Sequence, residues 1–542
     1  MDHIYSCQKP AGGISDENTH VSLEPLPAHT LASLLTQRAA ESPNTVYCSY
    51  RDTSLTLRDL EKRVNQFANL LWARGIRPGD RVALMLPSHP NHLIAFFALA
   101  KLGAVRVPIN IHLLGAPLQH AFTHLDPKVL IAHVAYRDVL ADISASLDLC
   151  LWEGDPEADP FEDSLRESTQ VPHAISPDAD DIIGLTPSSG TTGAPKGVLK
   201  SDRHLRAGPH TVLRLTGAQP GDVFLFWESL HHGSGVAVAI AALMGGFRLA
   251  MIERFSASRF WEDARRLQAT HIHYLGSVLP MLLNQPPSRR DKDHSVRIAW
   301  GGGCSPETWN AFAERFGVSM RQGYGLSELL TFVTLNLDGP AGSIGKPIGY
   351  YDLKLVDDIG TPVASGQTGE VLIRSRVPGL QFLGYFRCPE NTAEALDGQW
   401  LRTGDLAYAD ADGYLFYAGR KKEMLRRRGI NISAWEVEQV FLQHADIEEA
   451  ALVGVPSELG EDELKLFVRP RDGAVPDPLA LIQWSETRLP YFQIPRYIEF
   501  INEFPKTPTQ RIQKKALPRD TLNVWDLHVT NYNIRSKKQS PH

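Results

Sequence analysis

Cysteine is sparse in this 542-residue chain, and its spacing carries no pattern: Cys7, Cys48, Cys150, Cys304 and Cys388 are odd in number, and none forms a CxxC pair. That argues against a disulfide framework or a zinc ribbon and fits free thiols in a reducing cytosol. A strong charge of either sign is missing too. The 55 Lys and Arg against 62 Asp and Glu leave a formal net charge of −7, without the positive field that would hold nucleic acid or an anionic membrane. Long apolar runs are also lacking. The most apolar stretch, LIAFFALAKLGAVRVPI from Leu93, is broken by Lys101 and Arg106, so it reads as a buried helix feeding a strand, not a membrane span. The opening MDHIYSCQKPAGGISDENTH has no basic start and apolar core, and reads as a loose leader, not a secretory signal. No repeat period or low-complexity tract appears. The expectation is a cytoplasmic protein with no nucleic-acid partner and no stable membrane insertion.

What is present is a globular composition, 43% hydrophobic and 22% charged with 42 Gly and 37 Pro, in a chain too long for one core. TLRDLEKRVNQFANLLWARG has helical spacing and DRVALMLP has strand character, while DVFLFW, GFRLAMI and VRIAWGGG read as buried strands between helices. After Arg420 the texture changes: RKKEMLRRRG precedes a helical ISAWEVEQVFLQH and strand-like EEAALVGVP and ELKLFVRP. The pattern predicts an α/β multi-sheet large N-terminal domain over 1–421 and a small α+β C-terminal domain over 422–542, with a polar tail that frays after Leu517.

The chemistry gathers in LTPSSGTTGAPKGVLKSDRH. Ser188, Ser189, Thr191 and Thr192 bring hydroxyls, Gly190 and Gly193 let backbone N–H groups approach a ligand, and Lys196 adds charge, a composition suited to phosphate. It is not a Walker loop, because Pro195 precedes the lysine and Gly197 follows it. Taken alone, the stretch also fits a Ser/Gly-rich surface turn.

SSGTTGAPKG resembles the phosphate-loop signature of the adenylate-forming superfamily of acyl-CoA synthetases, nonribosomal adenylation domains and beetle luciferases. QGYGLSE, GSIGKP, WLRTGDLAYADADGYLFYAGRKKEM and RRRGINISAWEVE follow in that family's order, so the likeness runs from about residue 30 to 517. The resemblance implies ATP or acyl-AMP, CoA and Mg²⁺ as ligands. Glu328 would hold the Mg²⁺ and Ser327 would keep a hydroxyl beside it. Gly302, Gly303, Cys304, Gln322, Gly323, Tyr324 and Gly325 would frame the adenine and the reacting carboxyl, with Cys304 as packing and not a nucleophile. Asp405 would accept from the ribose hydroxyls and Arg420 would hold ribose or phosphate.

His231, in WESLHHGSG, would border the acyl and thiol pockets; a histidine satisfied by local hydrogen bonds is the alternative. Val236, Gly302, Gly325 and Leu329 line the expected acyl pocket and suggest an apolar acid, with fatty, aryl, carnitine-like and polycyclic terpenoid acids all open. The family's domain alternation puts a hinge at Lys422. Gly429 would lie beside the pantetheine tunnel and Arg428 near the CoA phosphates, although the arginine run also fits a solvated basic face.

One stretch departs from the family. FPKTPTQRIQKKAL carries Gln510-Arg511 where the family has Gly-Lys, a lysine that bridges the substrate carboxylate and the α-phosphate. A planar guanidinium is a poor substitute for a compact ammonium in a crowded site, and Lys514 is the candidate rescue. Four readings follow: a ligase weak in adenylation that joins acyl-AMP to CoA; a complete ATP-dependent acyl-CoA synthetase; an adenylation enzyme that loads a carrier protein; and a non-catalytic nucleotide-binding module. The partners implied are a carboxylic acid or acyl-adenylate and CoA, with a separate adenylating enzyme under the first reading. A homodimer stays open.

Overall fold

Helix Leu57–Ala73 forms where the apolar spacing predicts it. Thr56 and Asp59 close a capping box at its start, and Leu60, Val64, Phe67 and Leu71 point into the core. Helix Pro90–Leu102 begins on a proline, which suits the first turn because its missing N–H has no helical partner there. Nearly all its residues are buried, and it leads into strand Val105–Pro108, as the apolar stretch from Leu93 suggests. Among the described residues, no helix is long and apolar enough to cross a membrane.

The computed structural model describes residues 20–26, 29–170, 177–188, 196–276, 278–427, 430–456, 462–506, 512–530, 532 and 534. Contacts divide them into two units, one from Gly13–Leu353 and Ile373–Arg402, the other from Lys354–Leu372 and Thr403–His542.

The larger unit holds two sheets. One has six strands in the order Leu149–Glu153, Val129–His133, Arg81–Met85, Val105–Pro108, Ile182–Ser188 and Lys196–Ser201. Its pairings are parallel except the last, where Ile182–Ser188 runs antiparallel to Lys196–Ser201. The other has nine strands, with Arg248–Met251, Val223–Phe226, His271–Leu275, Ile298–Gly302 and Ser319–Leu326 adjacent and parallel at its centre. The expected strands in DVFLFW, GFRLAMI and VRIAWGGG are all here. Their unbroken apolar character follows from burial on both faces.

In the smaller unit, strands Ile447–Pro456, Asp462–Pro470, Tyr497–Phe500 and Trp525–Asp526 form one sheet. Helices Ala434–Phe441 and Pro478–Ser485 pack on it through Val437, Phe441, Leu481 and Ile482 against Leu452, Leu466 and Val468. This is the expected α+β texture. The expectation of fraying after Leu517 fails for Trp525–Asp526. That strand closes the sheet, and Asp526 takes two 2.9 Å hydrogen bonds from Arg496. The bidentate pair and the Trp525 ring outweigh the polar composition of the tail.

Candidate active site

Lys196 opens its strand directly opposite Ser188 in the antiparallel ladder. The two ends of 189–195 are therefore fixed as neighbours. Ser189, Gly190, Thr191, Thr192 and Gly193 lie outside the described residues, as does the side chain of Ser188. Alongside the strand, Phe386 N donates to Gly197 O at 2.7 Å and Leu199 N to Gly384 O at 3.1 Å, which brings Tyr385 beside Lys196. The Lys196 ammonium sits 5.0 Å from the centre of the Tyr385 ring. The Tyr385 hydroxyl donates to Glu328 Oε1 at 2.9 Å. Burial, and then the facing carboxylate, push the Tyr385 phenol well above its ordinary pKa, so it stays a donor.

Glu328 follows strand Ser319–Leu326 in a tight turn whose geometry is costly. Leu330 stands at φ 57, in the left-handed region, although leucine has no preference for it. Its neighbours leave it little room: a Cβ on Gly233 would fall 2.2 Å from Leu330 Cδ1, and one on Gly208 would fall 2.5 Å from Leu330 O. From below, Lys200 Nζ donates to Glu328 O at 2.7 Å. Lys200 is fully buried, and desolvation pulls its pKa down to about 7. Sequence reading missed both Tyr385 and Lys200. Lys200 stands in the quoted loop segment and could have been noticed as a charge in a strand; Tyr385 had no local signal.

The other nucleotide candidates of the larger unit are held by their own ladder. Gln322 is buried, with Oε1 accepting from Cys304 N at 2.9 Å and Nε2 donating to Ser343 O at 3.2 Å, so its amide ties the Gly301–Cys304 turn to Gly342–Ser343. Tyr324 is buried one pleat further along the same strand. Gly302 ends the neighbouring strand, with Gly303 and Cys304 just past it, and Gly323 and Gly325 flank Tyr324. Burial pushes the Cys304 thiol up to about 12, consistent with packing. Ser327 is half-buried beside Glu328, Leu329 is buried, and Val236 is buried on helix Gly233–Gly245.

His231 lies just before that helix. Its Nδ1 meets the Ser229 hydroxyl, its ring packs on His232 with centroids 4.0 Å apart, and its Nε2 is buried with no partner among the described residues. Desolvation first, then His232, His92, His112 and Arg106, push its pKa down to about 2. It is a neutral imidazole with one nitrogen to offer.

In the smaller unit, Asp405 and Arg420 face each other across an antiparallel ladder, and Arg420 Nε lies 3.0 Å from Asp405 Oδ1. Asp405 is buried and the Tyr417 hydroxyl reaches it at 3.4 Å. Lys422 is exposed in the single turn Lys421–Glu423, which joins strand Leu415–Arg420 to Met424–Arg427. The residues on either side of it are tied down. Lys421 reaches Asp358 at 3.0 Å and Glu370 at 3.1 Å, and Glu423 takes a 2.6 Å bond from Lys514.

Lys514 also reaches Glu438 Oε1 at 2.8 Å and is largely buried. Both carboxylates hold its pKa above the ordinary value against desolvation. Arg427 is buried too, on Glu463 at 2.5 Å and the carbonyls of Phe492 and Ile494. Arg428, Gly429, Gln510 and Arg511 lie outside the described residues.

Comparison with known proteins matches residues 35–386 to the AMP-binding enzyme family and residues 436–511 to the AMP-binding enzyme C-terminal domain. A crotonobetaine/carnitine–CoA ligase from Salmonella paratyphi B is 31% identical over 478 residues, covering 84% of this chain and 92% of that protein. Among solved structures, an anthranilate CoA ligase in complex with anthranoyl-AMP has a TM-score of 0.82 at 27% identity, covering 90% of this chain and 97% of its own. A benzoate CoA ligase from Burkholderia xenovorans LB400 has a TM-score of 0.81 at 25% identity, covering 91% and 100%.

Proposed function

The chain belongs to the AMP-binding enzymes and is a carboxylate–CoA ligase of that adenylate-forming family, and from this premise we propose that it adenylates poorly and mainly joins an acyl-adenylate to CoA. The reaction has two halves. The acid's carboxylate first attacks the α-phosphorus of ATP and expels pyrophosphate; the CoA sulfur then attacks the acyl carbon and expels AMP. The first half needs a compact cation where two anions converge, and the resemblance would put Arg511 in that role.

The observation that carries the reading is the fate of Lys514. The candidate substitute is bound at 2.6 Å to Glu423 and at 2.8 Å to Glu438, so bringing it to the reacting carboxylate would strand two acids, one of them buried. The second half-reaction does not call on that lysine. Asp405 and Arg420 would hold the ribose, and His231, neutral, would border the thiol path. Domains 1–421 and 422–542 would alternate about Lys422, with Arg428 and Gly429 meeting CoA. The acyl group, an apolar acid by its surroundings, would lie against Val236, Gly302, Gly325 and Leu329.

Mg²⁺ suits the residues present. Glu328 has one oxygen engaged by Tyr385, and among the described residues the other takes no hydrogen bond and no group of three or more His, Cys, Asp or Glu side chains forms a cage. One carboxylate plus phosphate oxygens is an ordinary Mg²⁺ set. When bound, the ion would neutralise phosphate charge, while Tyr385 fixes the Glu328 carboxylate and Lys196 adds a second cation.

A complete ATP-dependent synthetase is the rival, and the ordered Lys196, Tyr385 and Glu328 group favours it. Pyrophosphate release from free acid, ATP and Mg²⁺, set against thioester formation from preformed acyl-adenylate and CoA, separates the two. The Gln510→Gly, Arg511→Lys double variant should gain pyrophosphate release; no gain would remove the basis of the half-reaction reading.

A further inference from the structure

Arg106 is a buried cation that pairs with no acid among the described residues. It points from strand Val105–Pro108, is 3% exposed, donates to Leu230 O at 2.6 Å and lies over the Phe96 ring at 5.3 Å. Among the described residues no carboxylate pairs with it. Glu153, a buried acid of the same sheet, takes a 2.7 Å bond from Asn91 and lies 3.4 Å from His89, both at Oε1, while its Oε2 makes no hydrogen bond among the described residues. Burial lowers the Arg106 pKa to about 10, with no acid offsetting the loss. A guanidinium taken out of water without a counter-ion is costly, and an incoming anion would relieve that cost.

The groups beside it have spare donors. Asn110 lies two residues past the end of the same strand; its Oδ1 accepts from His112 N at 2.9 Å, while Nδ2 is buried with no partner among the described residues. His231 follows Leu230 directly. Its Nδ1 can accept from the Ser229 hydroxyl, which leaves the proton on the unpartnered Nε2. His92 differs: its Nδ1 faces the Pro87 carbonyl at 3.3 Å, so the proton sits there and Nε2 presents a lone pair. The Arg106 bond to Leu230 thus brings two donors, Arg106 and His231, together from the ends of two sheets, with Asn110 just past the end of the Arg106 strand.

We propose that Arg106, Asn110 and His231 form a subsite for an oxyanion, a second carboxylate borne by the acyl group. The substrate class is then a dicarboxylic acid, or its mono-adenylate, with an apolar body against Val236 and Leu329. This rests on the reading that the pocket beside His231 receives the acyl chain.

The test uses non-hydrolysable acyl-sulfamoyl adenosines of graded chain length, in pairs that end in carboxylate or methyl, titrated calorimetrically into the full chain. At one or more lengths the carboxylate-ended member should bind about tenfold tighter or better, as a charge-assisted pair allows. Arg106→Met should erase that preference while binding the methyl-ended member as before, and Arg106→Lys should keep part of it. Equal binding of both members by the wild type at every length would overturn the proposal. A preference unchanged in Arg106→Met would do the same. If Arg106→Met does not fold, Asn110→Ala and Arg106→Lys decide: a preference reduced in neither overturns the proposal. Thioester formation with CoA is scored separately. Its loss with every adenylate would defeat the proposed function while leaving the binding preference standing.

Discussion

Replacing Lys514 with Met should destabilise the smaller unit and leave adenylation where it was. The side chain carries two contacts, 2.6 Å to Glu423 and 2.8 Å to Glu438, and Glu438 is buried with its other bond, from Leu452 N, at 2.6 Å. Removing one partner of a buried pair costs about 3–5 kcal/mol, because the remaining charge has lost its counter-ion. For a unit of this size that is a fall of roughly 6–20 °C in melting temperature. Desolvation already raises the Glu438 pKa, with Lys514 opposing it. Without the lysine it rises further, so lowering the pH through that raised value neutralises the acid and shrinks the penalty. The loss should therefore be larger at pH 8 than at pH 5.5. Calorimetric melts at both pH values measure it, and pyrophosphate release from acid and ATP is followed in parallel. A loss under about 1 kcal/mol, or the same at both pH values, would refute the buried-pair reasoning. A fall in pyrophosphate release beyond what unfolding explains would show that Lys514 serves adenylation after all.

Three further outcomes are expected. Tyr385→Phe removes the 2.9 Å bond to Glu328 and should raise the Mg²⁺ requirement for nucleotide binding about tenfold, near 1.4 kcal/mol, with little change in melting temperature; an unchanged Mg²⁺ titration would count against Glu328 as the metal carboxylate. His92, His204, His231 and His271 have pKa values lowered to about 4, 3, 2 and 4, all mainly by desolvation. Unfolded, they bind protons that the fold refuses, so their stability contribution is present above the ordinary histidine pKa and lost as pH falls below it, at up to about 5 kcal/mol per pH unit near pH 5; urea midpoints at pH 7 and pH 5 that coincide would contradict this. The same neutral state means His231 contributes no inflection near pH 6.5 to the rate of thioester formation, and a step there that vanishes in His231→Ala would contradict the assignment.

The strands of both central sheets were legible because burial on two faces leaves unbroken apolar runs, and helix Leu57–Ala73 because its period and its Thr56–Asp59 cap agree. The site was legible where it is a local word: Lys196, Glu328, Asp405 and Arg420 stand in motifs. It was not legible where the contact is made by folding. Tyr385 reaches Glu328 across 57 positions only because Gly384–Phe386 runs along the Lys196 strand. Lys514 finds Glu423 across 91 positions, and no spacing rule reports that it is already engaged. Arg106 was read only as an interruption of an apolar run, since whether an acid pairs with it is a fact of three-dimensional packing.

The central claim meets its most direct test in one pair of rates measured on the same wild-type sample: pyrophosphate release from free acid, ATP and Mg²⁺, and acyl-CoA formation from preformed acyl-adenylate and CoA. The second should run at ordinary enzymatic rates while the first stays near background. Pyrophosphate released from the free acid as fast as thioester forms from the adenylate would contradict the account.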